Sequence, residues 1–224
     1  AIRLITLLEK ESISCRATDI LNYKTPYIIA KNVEKITKKS YAATEEEVDL
    51  LPVQSYFFDQ LNTNDFSQKF ILKSKTALDL KILQRAFDEL TNIHDMLRAT
   101  YKYRNDSVVQ EILPLNTSVC QIKEYSTTSL DKGIEKIIKE SEMSLDIENQ
   151  LIKFSLVHCD SEDYIVIVIH HLIVDGVSWS ILIDDLTYIY NQIKKDGEIN
   201  LLRPYPYKNW VENVKDLIEV QIEN

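Results

Sequence analysis

His170-His171-Leu172-Ile173-Val174-Asp175-Gly176 closes the apolar run Tyr164–Ile169, and the fold turns on how this stretch is read. A run rich in Ile and Val, bounded upstream by Asp160-Ser161-Glu162-Asp163, predicts a strand buried on both faces. Side chains alternate along a strand, so the two histidines at its end point to opposite sides. That makes them poor partners for one shared metal and suits them to two different tasks. Asp175-Gly176 predicts a turn, and a helical pattern follows. The chain has only 3 glycines. One placed here predicts a backbone position that does not tolerate a side chain.

A neutral imidazole at a strand end can serve as a general base near neutral pH. His171 is the better candidate, because one histidine must face packed core and the other a cleft. His170 is then structural. Asp175, in a tight turn beside a buried strand, needs a partner to offset its desolvation. Arg98, in His94-Asp95-Met96-Leu97-Arg98, offers a planar fork that matches a carboxylate, and a salt bridge between the two is expected. Trp179 is expected to pack against the loop, and His94 and His158 to be structural or surface residues. The sequence holds no Gly-rich phosphate loop, no His/Cys metal set and no Gly-x-Ser-x-Gly elbow.

The 224 residues suit one large domain or one and a half, and 45% hydrophobic content suits a buried core. A net charge of −9 argues against nucleic acid, which calls for a basic stripe. Cys15, Cys120 and Cys159 are odd in number and far apart, which implies neither disulfides nor zinc and fits a reducing cytoplasm. No apolar run approaches the ~18 residues of a membrane span. Ala1 is followed at once by amphipathic sequence with no visible helix cap, so a piece of a longer protein is expected.

Residues 1–40 are expected to form a small helical unit. Its first helix carries Ile2, Leu4, Ile5, Leu7 and Leu8 and ends near Ser12, a short Arg16–Tyr23 segment follows, and a second helix is capped by Thr25-Pro26 and carries Ile28, Ile29, Val33 and Ile36. The polar run 37–47 reads as a linker, giving bounds of 1–40, a linker at 41–49, and 50–224.

From Val48 an α/β alternation is expected. Pro52 opens a helix carrying Val53, Tyr56, Phe57 and Leu61, a strand lies near Phe70–Lys73, and a strong helix starts at Asp79. Strands Leu97–Tyr103 and Ser107–Leu113 follow, then one near Val119–Tyr125 and a helix at Leu130–Glu142. An antiparallel pair, Leu151–His158 and Tyr164–His170, precedes a helix from Ser178 to about Lys195. Residues 201–207 read as irregular before a final helix at Asn209–Ile222.

These residues together resemble the condensation superfamily of nonribosomal peptide synthetases. His170-His171-x-x-x-Asp175-Gly176 is similar to that family's signature, and Val177-Ser178-Trp179-Ser180-Ile181-Leu182 resembles its epimerization branch. Leu51-Pro52-Val53-Gln54-Ser55-Tyr56-Phe57 is similar to the motif opening epimerization domains, with Tyr56 in place of Trp. His94–Arg98 resembles the family's second motif, whose arginine pairs with the motif aspartate. Leu145–Leu151 resembles the segment leading into the histidine strand, with Asn149-Gln150 where the family has Gly-Pro.

The resemblance implies a chloramphenicol acetyltransferase-like α/β sandwich half-domain with a mixed sheet, preceded by a small helical carrier-domain remnant. It implies that His171 acts as acid/base, supported by His170, Asp175, Gly176, Arg98, Ser178 and Trp179, with Gly176 admitting close approach of substrate. The reaction implied is epimerization of an aminoacyl or peptidyl thioester on phosphopantetheine, in antibiotic biosynthesis. The attachment serine is expected upstream of Ala1, and a glutamate of the domain's second half is expected as partner to His171, so these residues alone are expected to be inactive. Implied partners are a peptidyl carrier domain, the C-terminal half of the domain and neighbouring modules, with neither nucleic acid nor membrane. Two other readings stay open: a condensation domain forming a peptide bond, and an inert carrier-docking scaffold. Trp179 and Pro52-Val53-Gln54 favour epimerization.

Overall fold

In the computed structural model, residues 4–5, 8, 13–35, 39–105 and 107–222 are described. The chain divides into two units, 1–40 and 41–224. In the first, β1 (Ile13–Ser14) pairs antiparallel with β2 (Glu34–Lys35), and α1 (Ala17–Tyr23) and α2 (Pro26–Asn32) lie between them. Thr25 caps α2, its hydroxyl accepting from Ile28 N–H at 3.3 Å, and Pro26 takes the first position, where a missing N–H costs nothing. The helix ends at Asn32, so Val33 lies just beyond it, and Ile36 falls outside the described residues. Most of the expected first helix also lies outside them; Leu4, Ile5 and Leu8 are helical.

The second unit is built around a four-stranded mixed sheet. Its members are β4 (Ser67–Lys73), β7 (Lys123–Thr127), β8 (Ile152–Cys159) and β9 (Glu162–His170), in the order β4-β9-β8-β7. β9 is antiparallel to both neighbours, and β7 runs parallel to β8. Asp160 supplies the turn between β8 and β9 with φ 54°. Every residue from Tyr164 to His170 is buried, as a two-faced core strand requires.

Alternation sorts β9 into two cores. Tyr164, Val166 and Val168 pack with Ile134 and Ile137 of α5 (Leu130–Met143). Ile165, Ile167 and Ile169 belong to the larger core with Leu83, Phe87 and Leu90 of α4 (Leu80–Ile93) and Leu182, Leu186 and Ile189 of α6 (Gly176–Lys194). Each such aliphatic side chain contributes roughly 1.5–3 kcal/mol on burial. The edge strand β4 is split the same way. Ser67 and Lys69 bond Glu142 on the α5 side, while Gln68 and Phe70 meet Trp179 of α6.

A second, antiparallel sheet has the order β3-β6-β5, with β3 (Glu47–Val48), β5 (Ala99–Arg104) and β6 (Ser107–Ile112). Its presence corrects the linker reading. Thr44 is buried and donates its N–H to Asp95, and Val48 is buried opposite Gln110. The charged run misled because a two-residue edge strand needs only one inward side chain, with Glu47 facing solvent.

The helix α3 (Pro52–Gln60) also departs from expectation. Its buried residues are Gln54 and Phe57, whereas Val53 and Tyr56 are exposed. Gln54 is accommodated because its amide donates to Tyr101 Oη at 2.8 Å and accepts from Leu51 N–H at 2.8 Å. The last helix, α7, spans Tyr207–Ile222. Among the described residues no helix is long and apolar enough to cross a membrane.

Candidate active site

The end of β9 presents the two histidines in opposite tautomers. His170 is fully buried; its Nδ1 accepts from Leu172 N–H at 3.2 Å, so Nε2 carries the proton and donates to Thr63 O at 3.1 Å. Phe57 and Phe66 meet its ring edge-on. Both nitrogens are spent on backbone, which makes His170 a structural residue. His171 is half-buried, with Phe66 stacked on it at 4.8 Å between centroids. Its Nδ1 lies 2.7 Å from Val174 O, an acceptor only, so Nδ1 carries the proton and Nε2 the lone pair. Nε2 in turn lies 3.0 Å from Gln68 Nε2, whose Oε1 accepts from Trp179 Nε1–H at 2.7 Å. His171 thus holds a neutral base nitrogen on the α6 side of the sheet edge.

Burial holds His170 below the ordinary histidine value, against the hydrogen bond to Thr63 O. It therefore binds fewer protons folded than unfolded, and the stability it supports is full above the unfolded value of about 6.5 and is lost as pH falls below it. His158 works the other way: hydrogen bonds to Glu124 and Asp163 raise it, so its contribution is lost as pH rises. A His158→Gln variant is expected to lose stability steadily from about pH 7.5 to about pH 5.5 in urea titrations. An increase over that range contradicts the assignment of His170 as a buried neutral residue.

Asp175 is not paired with Arg98. Its Oδ1 accepts from Val177 N–H at 3.0 Å, Ser178 N–H at 2.7 Å and Ser178 Oγ at 2.7 Å, which makes it the N-cap of α6. Desolvation pushes its carboxyl up, but the bonds from Ser178 and Val177 outweigh it and hold the group below its usual range. The helix terminus supplies the donors a carboxylate needs, so no cation is required. Asp175→Ala is expected to cost about 1 kcal/mol, and Asp175→Asn much less, as read from denaturation midpoints.

Arg98 has 0% exposure and closes a different joint. Nε donates to Leu113 O at 3.0 Å, Nη1 to Thr91 O and to Asn92 O, and Nη2 to Thr44 O at 3.1 Å and Asp95 Oδ1 at 3.0 Å. Its five N–H groups thus tie the end of α4, the turn Asp95–Arg98, residue 44 and the residue that follows β6 together.

Gly176 also differs from expectation. It opens α6 at an ordinary helical φ, and a Cβ built there meets nothing within 4 Å. Trp179, expected to pack against the loop, is buried and stacks on Phe70 of β4 at 4.9 Å. His94 bonds Asp185 at 2.9 Å. A cavity of about 220 Å³, lined by His94, Met96, Ile173, Ser178, Tyr205 and Trp210, backs onto the histidine loop.

Residues 44–223 match the condensation domain family. The chain belongs to that family. Its match begins at Thr44, the first residue that Arg98 ties into the second unit. Among curated relatives, Gramicidin S synthase 1 of Brevibacillus brevis is 30% identical over 218 residues, 94% of this chain and 20% of that protein. Tyrocidine synthase 1 of Brevibacillus parabrevis is 31% identical, over 90% of this chain and 19% of that protein. The chain spans about a fifth of the length of each. Among solved structures, the epimerization domain from the third module of tyrocidine synthetase B superposes with a TM-score of 0.74 at 26% identity, over 80% of this chain and 42% of that one. The starter condensation domain of rhizomide synthetase shares the fold, with a TM-score of 0.67 at 11% identity over 75% of this chain and 40% of that one.

This condensation-family site contains three groups that sequence reasoning missed: Gln68, Phe66 and the Val174 carbonyl. A polar residue on the core-facing side of β4, between Phe66 and Phe70, was the available signal for Gln68.

Proposed function

We propose that the second unit is the histidine-bearing part of an epimerization domain, inverting the α-carbon of an aminoacyl or peptidyl thioester delivered on a carrier's phosphopantetheine arm. The observation that carries this reading is the chain Trp179–Gln68–His171. Trp179 is the residue whose place after Ser178 resembles the epimerization branch, and it lies one side chain away from the base. The likeness to the tyrocidine synthetase B epimerization domain supports the same choice.

The residues suit a thioester substrate. His171 is half-buried against exposed Phe66, giving an apolar flank and one neutral nitrogen. A thioester acidifies its α-carbon. His171 Nε2 takes the α-proton, the electron pair staying with the substrate, and the Nδ1–H bond to Val174 O steadies the ring as charge arrives. Reprotonation from the opposite face calls for a second acid, which the resemblance assigns to a glutamate of the domain's other half. Residues 1–40 are proposed as the end of the carrier domain that presents the thioester. The carrier, the remaining half-domain and neighbouring modules are the partners.

Chiral analysis of the thioester-bound residue in the complete synthetase tests this: an L-loaded carrier is expected to reach a mixture of L and D. Retention of pure L refutes the reading.

A further inference from the structure

We propose that Gln68 is a positioning residue that keeps His171 unprotonated until substrate arrives, and that Trp179 sets the direction in which Gln68 points. The kinetic part of this inference rests on the epimerase reading; the structural part stands without it.

The indole N–H of Trp179 can only donate, so the oxygen of Gln68 must face it, at 2.7 Å. The Gln68 amide nitrogen is thereby turned toward His171 Nε2, at 3.0 Å. An amide nitrogen does not accept, so the imidazole must supply the lone pair. The bond from Nδ1–H to Val174 O demands the same tautomer independently. Two unrelated partners thus hold one protonation state.

Protonating His171 places Nε2–H against an N–H donor. Gln68 can relieve that conflict by turning over, but its oxygen then leaves Trp179, which is 4% exposed and has no other acceptor among the described residues. The indole is itself clamped by its stack on Phe70. Leaving a buried donor unpaired is unfavourable, so the arrangement with a free base is favoured. Substrate must displace the Gln68 amide to bring its α-hydrogen to Nε2.

The charged and titratable groups around His171 leave this role to Gln68. Asp175 spends its carboxylate on the cap of α6, His170 is neutral in the core, and Lys69, next to Gln68, bonds Glu142 on the other face of the sheet. His171 and Gln68 are both only half-buried, which leaves room for a variant side chain at position 68.

The test pairs NMR on the chain with α-hydrogen exchange in the complete synthetase. Gln68→Glu accepts from both Trp179 and an imidazolium, so ring ¹⁵N shifts are expected to show His171 doubly protonated at a pH where the unaltered protein holds it neutral. The acid limb of the exchange profile is expected to move up by about one pH unit or more. Gln68→Leu and Trp179→Phe are each expected to move it in the same direction by less. The double variant is expected to move it no further than the larger single shift, because both break one chain. Unchanged ¹⁵N shifts in Gln68→Glu, or fully additive effects of Gln68→Leu and Trp179→Phe, overturn the inference. If the unaltered synthetase shows no exchange at all, the epimerase reading fails, and the ¹⁵N shifts alone decide the role of Gln68.

Discussion

Arg98→Met is expected to destabilise the second unit by about 3–5 kcal/mol, the range seen when one partner of a buried ion pair is removed. The substitution keeps much of the side-chain volume but strips donors from four backbone carbonyls and one carboxylate, all gathered around a side chain with 0% exposure. Against a typical domain stability of about 5–15 kcal/mol, that is a large fraction. Thermal denaturation is expected to show a midpoint lower by about 6–20 °C, at roughly 2–4 °C per kcal/mol for a domain of this size. Arg98→Lys is expected to recover little, since an ammonium cannot address five acceptors in one plane. Exchanging charges between Arg98 and Asp175 is expected to restore nothing, because each finds its partners elsewhere. A midpoint within about 2 °C of the original, or recovery in the swapped pair, contradicts this arrangement of contacts.

His171→Ala is expected to lower α-hydrogen exchange in the complete synthetase by roughly 10²–10⁴-fold, the usual worth of a general base. The fold is expected to survive, because His171 and Gln68 are only half-buried and Val174 O is the one buried group left without its partner. His170→Ala separates the two histidines. It empties a fully buried site and leaves part-buried Leu172 N–H and Thr63 O without their partner, so its loss is expected in the denaturation midpoint. Exchange lost in His171→Ala with an intact midpoint, against a lowered midpoint in His170→Ala, is the expected pair of results. Equal exchange in His171→Ala and the original protein removes His171 from the mechanism.

The parts of the fold legible in the sequence are those governed by local rules. The continuous apolar run Tyr164–Ile169 predicted a doubly buried strand, strand alternation split the two histidines, and the structure gives them different partners. Thr25-Pro26 and Asp79 marked helix starts through capping chemistry that involves neighbours only. Long-range pairing was harder to read. Arg98 was matched to a distant carboxylate on its charge, its planar fork and the family resemblance, while Asp95, three residues before it, supplies the carboxylate it uses. Asp175 followed by Gly-Val-Ser carried the pattern of a helix N-cap, and that rule alone accounts for its bonds. Gln68 was invisible because its role exists only once β4 is laid beside β9, with Gln68 opposite Ile169 and within reach of a tryptophan more than a hundred residues later. Thr44 was passed over for a similar reason, since its bonds to Asp95 and Arg98 are made by its backbone.

The proposal that His171 moves a proton at the α-carbon is tested most directly by solvent deuterium. The complete synthetase, loaded with an aminoacyl thioester on its carrier and placed in D₂O, is expected to gain deuterium at the α-carbon from either the L or the D starting material, with no new amide bond. Amide-bond formation with the α-hydrogen fully retained contradicts that account and assigns the site to condensation.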